Sequence, residues 1–305
     1  MKSPILIAVA LVVHGASVCA QPSDTSRAGY TAAQCASCAE WNTPTQPVHL
    51  YGSAYWVGTR GLGAILLTSP AGHVLIDAGL PESAAPIMAS IRALGFRVED
   101  IRLILNSHAH FDHAGGIAAI QRASGAAVAA SPWSAGVLRR GRAARDDPQH
   151  DIALAYPAVT GTDIRELSDG DTLRVGPIAL TAHFTPGHTP GGTSWSWREC
   201  EAGECLAFVY ADSQTPVSAD NFFFTRSSAY PTALQDFARS FAVLEQLPCD
   251  VLITPHPGAS QMWERLAARE KGDRSALRDP GACRRYAAGA REQLARRVAA
   301  EGNAR

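Results

Sequence analysis

An α/β fold, two mixed β-sheets packed face to face with helices on their outer faces, is predicted by three observations. Short β-branched and apolar runs alternate with stretches of helical spacing in both halves of the chain. Turn residues, chiefly glycine and proline, separate those runs as hairpins and strand–helix connections require. No charge run, low-complexity tract or linker divides the 305 residues, and 46% apolar content suffices for a large core. A net charge of −1 with no basic stripe argues against a nucleic-acid partner.

The chain opens with Lys2 before an apolar run from Ile5 to Val13, and Val18-Cys19-Ala20 offers a small-residue cleavage site before Gln21. A secretory signal peptide over residues 1–20 is expected, leaving residues 21–305 as a single domain in the periplasm. The apolar run is too short for a permanent membrane anchor. Lipidation of Cys19 is the lesser reading, because Val18 fits it poorly. Without Cys19, six of the seven cysteines remain, an even number suited to an oxidising compartment. Cys200 and Cys205 flank EAGE at an expected hairpin tip and can bridge locally. A bridge between Cys249 and Cys283 would tie the final helix, CRRYAAGAREQLARRV, to the body and stabilise the fold by about 3–4 kcal/mol in the chain-entropy treatment. Cys35 and Cys38, in CASC, can pair with each other, and their pairing is left open.

Strands are expected in VHLYGSAYWVGT, GAILLTS and HVLIDAG, followed by a helix over Glu82–Leu94 that Gly95 terminates. The strand IRLIL, a helix over Gly116–Ala123, the strand AAVAA and a helix over Trp133–Arg140 come next. Gly141–Pro157 is rich in charged and turn residues and is expected as a mobile surface loop, with His150 solvated. The second half repeats the alternation: strands in IRELSDGDTLRVGPIALTAHFTPG, TSWSW and CLAFVYADS, the helix TALQDFARSFAVLEQL, and the strand DVLIT. Trp195 and Trp197 alternate along a strand and are assigned to the core.

Between IRLIL and its helix lies NSHAHFDHAGG, with potential metal ligands at His108, His110, Asp112 and His113. The loop leaves the C-terminal end of a strand, where open α/β sheets keep their chemistry. Four ligands within six residues are too many for one catalytic ion, which keeps an open position, so two zinc ions are expected. His188 in PGHTPGG and His256 in TPHPG sit in rigid turns at strand ends and complete a set of five histidines and one aspartate, three ligands per ion. His183 is expected to face the core or to lie behind the ligands, and His14, His49 and His73 have no assigned role.

The HxHxDH pattern of this loop resembles the signature of the metallo-β-lactamase superfamily, an αββα sandwich of hydrolases. YWVGT (Tyr55–Thr59), HFDHAGG, TPGHTPGGTSWSW (Thr185–Trp197), YADS (Tyr210–Ser213) and TPHP resemble subclass B3 metallo-β-lactamases, a likeness running from Glu40 to Arg296. The resemblance implies that His108, His110 and His188 hold a first zinc and Asp112, His113 and His256 a second. It implies Ser213 and Thr215 at the substrate carboxylate and Asp112 as a catalytic group. The implied reaction is hydrolysis of the β-lactam amide of penicillins, cephalosporins and carbapenems by a metal-bound hydroxide, giving antibiotic resistance, with no stable membrane anchor and a monomeric enzyme. The rival on the same fold is a lactonase or a glyoxalase II-like thioesterase, for which Asp212 would bridge the metals. A non-enzymatic metal-storage protein would instead need a closed site without exchangeable water.

Overall fold

The structure is a computed structural model and describes residues 34–303. The expected signal peptide, its cleavage site and Cys19 lie outside the described residues. The first sheet has seven strands in sequence order: β1 (Val48–Tyr51), β2 (Ala54–Trp56), β3 (Ile65–Leu67), β4 (His73–Ile76), β5 (Ile101–Leu105), β6 (Ala127–Ala130) and β7 (Ile164–Glu166). Neighbours from β1 to β4 pair antiparallel, and those from β4 to β7 pair parallel. The second sheet runs β12 (Val251–Ile253), β11 (Glu204–Tyr210), β10 (Thr193–Glu201), β9 (Ile178–Phe184) and β8 (Thr172–Val175), and only its β11–β12 pair is parallel. The mixed sheets of the expected αββα sandwich are therefore present.

Side-chain alternation assigns each strand residue to a layer. Ile65 and Leu67 of β3, Trp195 and Trp197 of β10, Phe208 and Tyr210 of β11, and Val251 and Ile253 of β12 meet in the core between the sheets. Leu66 and Leu75 face the other way, against α2 (Ala84–Ala93), α4 (Ile117–Ser124) and α5 (Pro132–Arg140). Val209 and Leu252 turn from the central core onto α6 (Ala233–Gln246) and α8 (Ala282–Asn303). Strands buried on both faces read as continuous apolar runs, which is why ILL, HVLI and VLI carry no polar alternation.

All three cysteine pairs are bridged: Cys35–Cys38, Cys200–Cys205 and Cys249–Cys283. The second closes the β10–β11 hairpin, whose two-residue turn has positive φ at Ala202 (50°) and Gly203 (86°), the conformation that matches strand twist. The third joins the start of α8 to the residue before Asp250 and β12 across 34 positions. No helix among the described residues is long and apolar enough to cross a membrane.

Candidate metal centre

Strand β5 delivers the ligand loop, and Asp77, just past the end of β4, locks its entrance. The Asp77 carboxylate accepts from Ser107 N at 2.7 Å, Ser107 Oγ at 2.6 Å, Asn106 Nδ2 at 3.1 Å and Tyr210 OH at 3.0 Å. Asp77 is fully buried and has φ 58°, a strained conformation for a residue with a side chain, held here by four donors. Past the loop, the short helix α3 (Phe111–Ala114) presents Asp112 and His113. The glycines that follow permit a close approach: a Cβ on Gly116 would lie 2.3 Å from Ala78 O, and one on Gly115 would lie 2.4 Å from Pro81 Cδ. Ala78 N donates to His113 O and Gly116 N to Gly79 O, so α3 is fastened to the segment after β4.

Four imidazoles then converge. Ring centroids of His108 lie 4.8 Å from His110, 4.4 Å from His113 and 4.9 Å from His188, and His110 and His188 are 5.0 Å apart. Donor atoms of His108, His110 and His188, and of His108, Asp112 and His113, all lie within 4.8 Å of one another. His256 joins at the edge, with its ring 4.8 Å from His113 and its Nε2 3.3 Å from Asp112 Oδ2. All six sequence-predicted ligands are thus brought together, from loops of both sheets.

Hydrogen bonds behind the rings decide which nitrogen faces the centre. His108 Nδ1–H donates to Asp212 Oδ1 at 2.7 Å, and its Nε2, fully buried, has no partner among the described residues. His110 uses Nε2 to reach both oxygens of Asp147 at 3.0 and 3.1 Å, which leaves Nδ1 for the centre. His188 Nδ1–H donates to Thr215 O at 2.7 Å, while the Gln149 amide lies 3.3 Å from its Nε2, where a metal would displace it. His256 Nδ1–H donates to Gly61 O at 3.2 Å and turns Nε2 towards Asp112.

Electrostatics point the same way for His108, His188 and Asp112. Burial, reinforced by the neighbouring imidazoles His113, His110 and His188, holds His108 well below its usual range, and burial with His110 lowers His188 to about 3. Both rings are therefore neutral, the state that ligates. Burial alone would lower His110, but Asp147 outweighs it and raises the group. Burial works to raise Asp112, yet His113 and His256 hold it well below the ordinary carboxylate range, so it is ionised.

The donor set fits a divalent metal. A buried lone pair with no partner at His108 Nε2 is costly unless something occupies the centre. Asp112 Oδ2 stands 3.2 Å from His113 Nε2 and 3.3 Å from His256 Nε2, close to the spacing of about 3.3 Å between ligands of one tetrahedral ion.

The expectation for one loop is refined. Gly141–Pro157 is not a free surface loop: Asp147 is 2% exposed against His110, and Tyr156 OH donates to Ala109 O at 2.8 Å. His150, as expected, is exposed and outside the cluster. His183 bonds Ser196 Oγ at 2.7 Å on the sheet. Asp147 was missed because DDPQHD reads as solvated turn, and its only cue was an aspartate beside proline in a loop of restricted backbone. Ser213 is buried directly after Asp212, and Thr215 is half-buried, its carbonyl holding His188 and its hydroxyl 3.4 Å from the same Nδ1.

Known proteins resemble this chain in sequence and fold. The family described as the metallo-beta-lactamase superfamily matches residues 63–201. The solved Rm3 metallo-β-lactamase is 54% identical with a TM-score of 0.86, covering 88% of this chain and 99% of its own. The chain belongs to the subclass B3 metallo-β-lactamase family. MEM-A1, a subclass B3 metallo-β-lactamase from a soil metagenome library, is 47% identical at a TM-score of 0.85, covering 87% of this chain and all of its own. Hydroxyacylglutathione hydrolase of Anaeromyxobacter dehalogenans (strain 2CP-C) is 36% identical over 132 residues, 43% of this chain and 40% of that protein. The chain spans about half the length of the curated relatives it matches. In this B3 family member, the Asp212 carboxylate stands behind His108 as its hydrogen-bond acceptor, which is not the placement of a metal bridge.

Proposed function

We propose that this chain hydrolyses the β-lactam amide of penicillins, cephalosporins and carbapenems, and so confers antibiotic resistance, using two zinc ions. The observation that carries the reading is the pair of three-donor sets meeting at one centre, His108–His110–His188 and Asp112–His113–His256, in a chain 54% identical to a metallo-β-lactamase over nearly the whole of that enzyme. The first set would hold one zinc and the second the other. When bound, zinc supplies Lewis acidity to a carbonyl oxygen and makes water acidic enough to attack at neutral pH.

The protein's own groups do the rest. Asp147, Asp212 and the Thr215 carbonyl fix the three buried rings, so no reorganisation is needed during reaction. Asp112 is the catalytic carboxylate: ionised, with Oδ2 turned to His113 and His256, it would help hold the second zinc and orient the attacking water. Ser213 and Thr215 supply hydroxyls for the substrate carboxylate. His256, with a 35% exposed side chain, marks the side from which substrate enters. We further propose residues 21–305 as a single domain, acting as a periplasmic monomer after removal of the signal peptide.

The deciding experiment is hydrolysis of a carbapenem and a chromogenic cephalosporin by purified protein, first with zinc and then with a chelator. Ring opening that the chelator abolishes is expected. Absence of turnover on every β-lactam by a folded, zinc-loaded sample would overturn the reading in favour of a thioesterase or lactonase. The likeness to hydroxyacylglutathione hydrolase makes thioesters the next substrates to screen.

A further inference from the structure

The CASC motif has no part in the reaction proposed above, yet the structure sets it beside the most exposed ligand. The Cys35–Cys38 bridge opens onto α1 (Cys38–Trp41), and the two cysteines belong to a small cluster with Trp41, Leu62, Leu80 and Phe111 of the ligand loop. From there the chain runs along residues 58–61 like a zipper. Gly61 N donates to Trp41 O at 3.0 Å, Thr59 Oγ1 to the same carbonyl at 2.7 Å, Arg60 N to Thr43 O at 2.8 Å and Thr45 Oγ1 to Gly58 O at 3.1 Å. Gly61, so held, presents its own carbonyl to His256 Nδ1 at 3.2 Å. The Trp41 ring closes the arrangement, its centroid 5.0 Å from that of His256. Contact is close enough to demand glycine at position 61, where a Cβ would stand 2.6 Å from Trp41 Cδ1.

From this geometry we infer that the disulfide-closed hook of residues 35–45 is a positioning device for His256, with Trp41 and Gly61 setting the affinity of the second metal site. The inference rests on His256 being a ligand of that site, as proposed above. His108 and His110 are oriented by buried carboxylates and buried His188 by the Thr215 carbonyl, whereas His256 is a third exposed and has one backbone carbonyl and one indole ring. A ligand this exposed depends on each group that orients it, and loss of an outer partner typically costs 10–100-fold in metal affinity. The hook's hydrogen bonds and ring contacts towards the centre run through Gly61 and His256, so its effect falls first on the second site.

The test is stepwise zinc binding to the full mature chain, by competition with a chromophoric chelator, for the wild type, Trp41→Ala, Trp41→Phe, Gly61→Ala and His256→Ala. Trp41→Ala and Gly61→Ala should weaken the second zinc about tenfold or more and leave the first within about twofold, and Trp41→Phe should restore most of the loss. Equal weakening of both sites would reduce the hook to general structure and overturn the proposal, as would an unchanged second constant in both variants. Should Trp41→Ala fail to fold, Gly61→Ala, which keeps the indole and the disulfide, decides alone. His256→Ala separates the two claims: if it leaves both zinc steps intact, the ligand assignment has failed and the hook with it.

Discussion

The two halves of the metal centre are built differently. His108, His110 and His188 are at most 6% exposed, and each ring is fixed from behind by Asp212, Asp147 or the Thr215 carbonyl. Asp112, His113 and His256 share one carboxylate oxygen, and the His256 side chain is 35% exposed. One half is walled throughout, whereas the other, with Asp112 and His113 buried, opens to solvent at His256. Preorganisation favours tight binding, whereas an open rim leaves room for an incoming substrate. The contrast teaches that the centre divides holding from admitting.

The sharpest way to break this contrast is to delete one ligand on each side. His188→Ala should lower kcat/KM by about three orders of magnitude or more and abolish the tighter zinc step, read by steady-state hydrolysis and zinc titration. His256→Ala should lower turnover by about two orders of magnitude while the tighter zinc step survives. Equal loss of both zinc steps in the two variants would erase the distinction.

Next in size are the groups behind the wall. Asp147→Asn and Asp212→Asn should each weaken the tighter zinc about 10–100-fold, with the weaker step little changed. On the substrate side, Ser213→Ala and Thr215→Ala should each raise KM about fivefold with kcat nearly constant, the loss of one hydrogen bond made equally in ground and transition states. A fall in kcat instead would move those hydroxyls into the chemistry.

An effect on stability alone, with turnover untouched, lies far from the metal centre, at Glu301. Its carboxylate accepts from Phe224 N, Thr225 N, Thr225 Oγ1 and Arg297 Nε, which pins the 224–225 segment to the end of α8. Burial works to raise this group, but Arg297 and the Thr225 and Phe224 donors outweigh it and hold it below its usual 4.5. A lowered folded value means stability that is present above the unfolded value and lost as pH falls through the folded one. Glu301→Gln should therefore cost about 1–3 kcal/mol at pH 7, and the gap in thermal midpoint between variant and wild type should close as the buffer is taken well below 4.5.

Much of this was legible in the sequence, for physical reasons that also mark where legibility stopped. Candidate ligands on one short loop announce themselves, because three histidines and an aspartate between residues 108 and 113 are more chemistry than a strand-end turn needs for its own structure. His188 and His256 were found by the proline and glycine residues that stiffen their turns. Runs such as ILL and VLI showed strands because burial on both faces leaves no polar residue among them. Asp147 stayed hidden because a single buried carboxylate within a charged segment looks like its solvated neighbours, and only the fold shows that it turns inward. Asp212 was visible but ambiguous: a bridging role and a place behind His108 call for the same residue at the same strand end. Trp41 could not be found at all, since its meaning depends on a partner more than 200 residues away in the chain.

That last kind of separation governs how the molecule comes into being. The bond from His108 to Asp212 joins positions 104 residues apart, so the first sheet can form its own ladder long before the carboxylate behind His108 is in place. Pairings this distant are slow to close, because loop entropy is surrendered before any contact is gained. A nascent chain carrying only the 108–113 cluster would hold several half-dressed imidazoles and no complete coordination sphere. Metal capture at full strength is then a late event in the life of the chain, and an ion held tightly there reports that both halves have met.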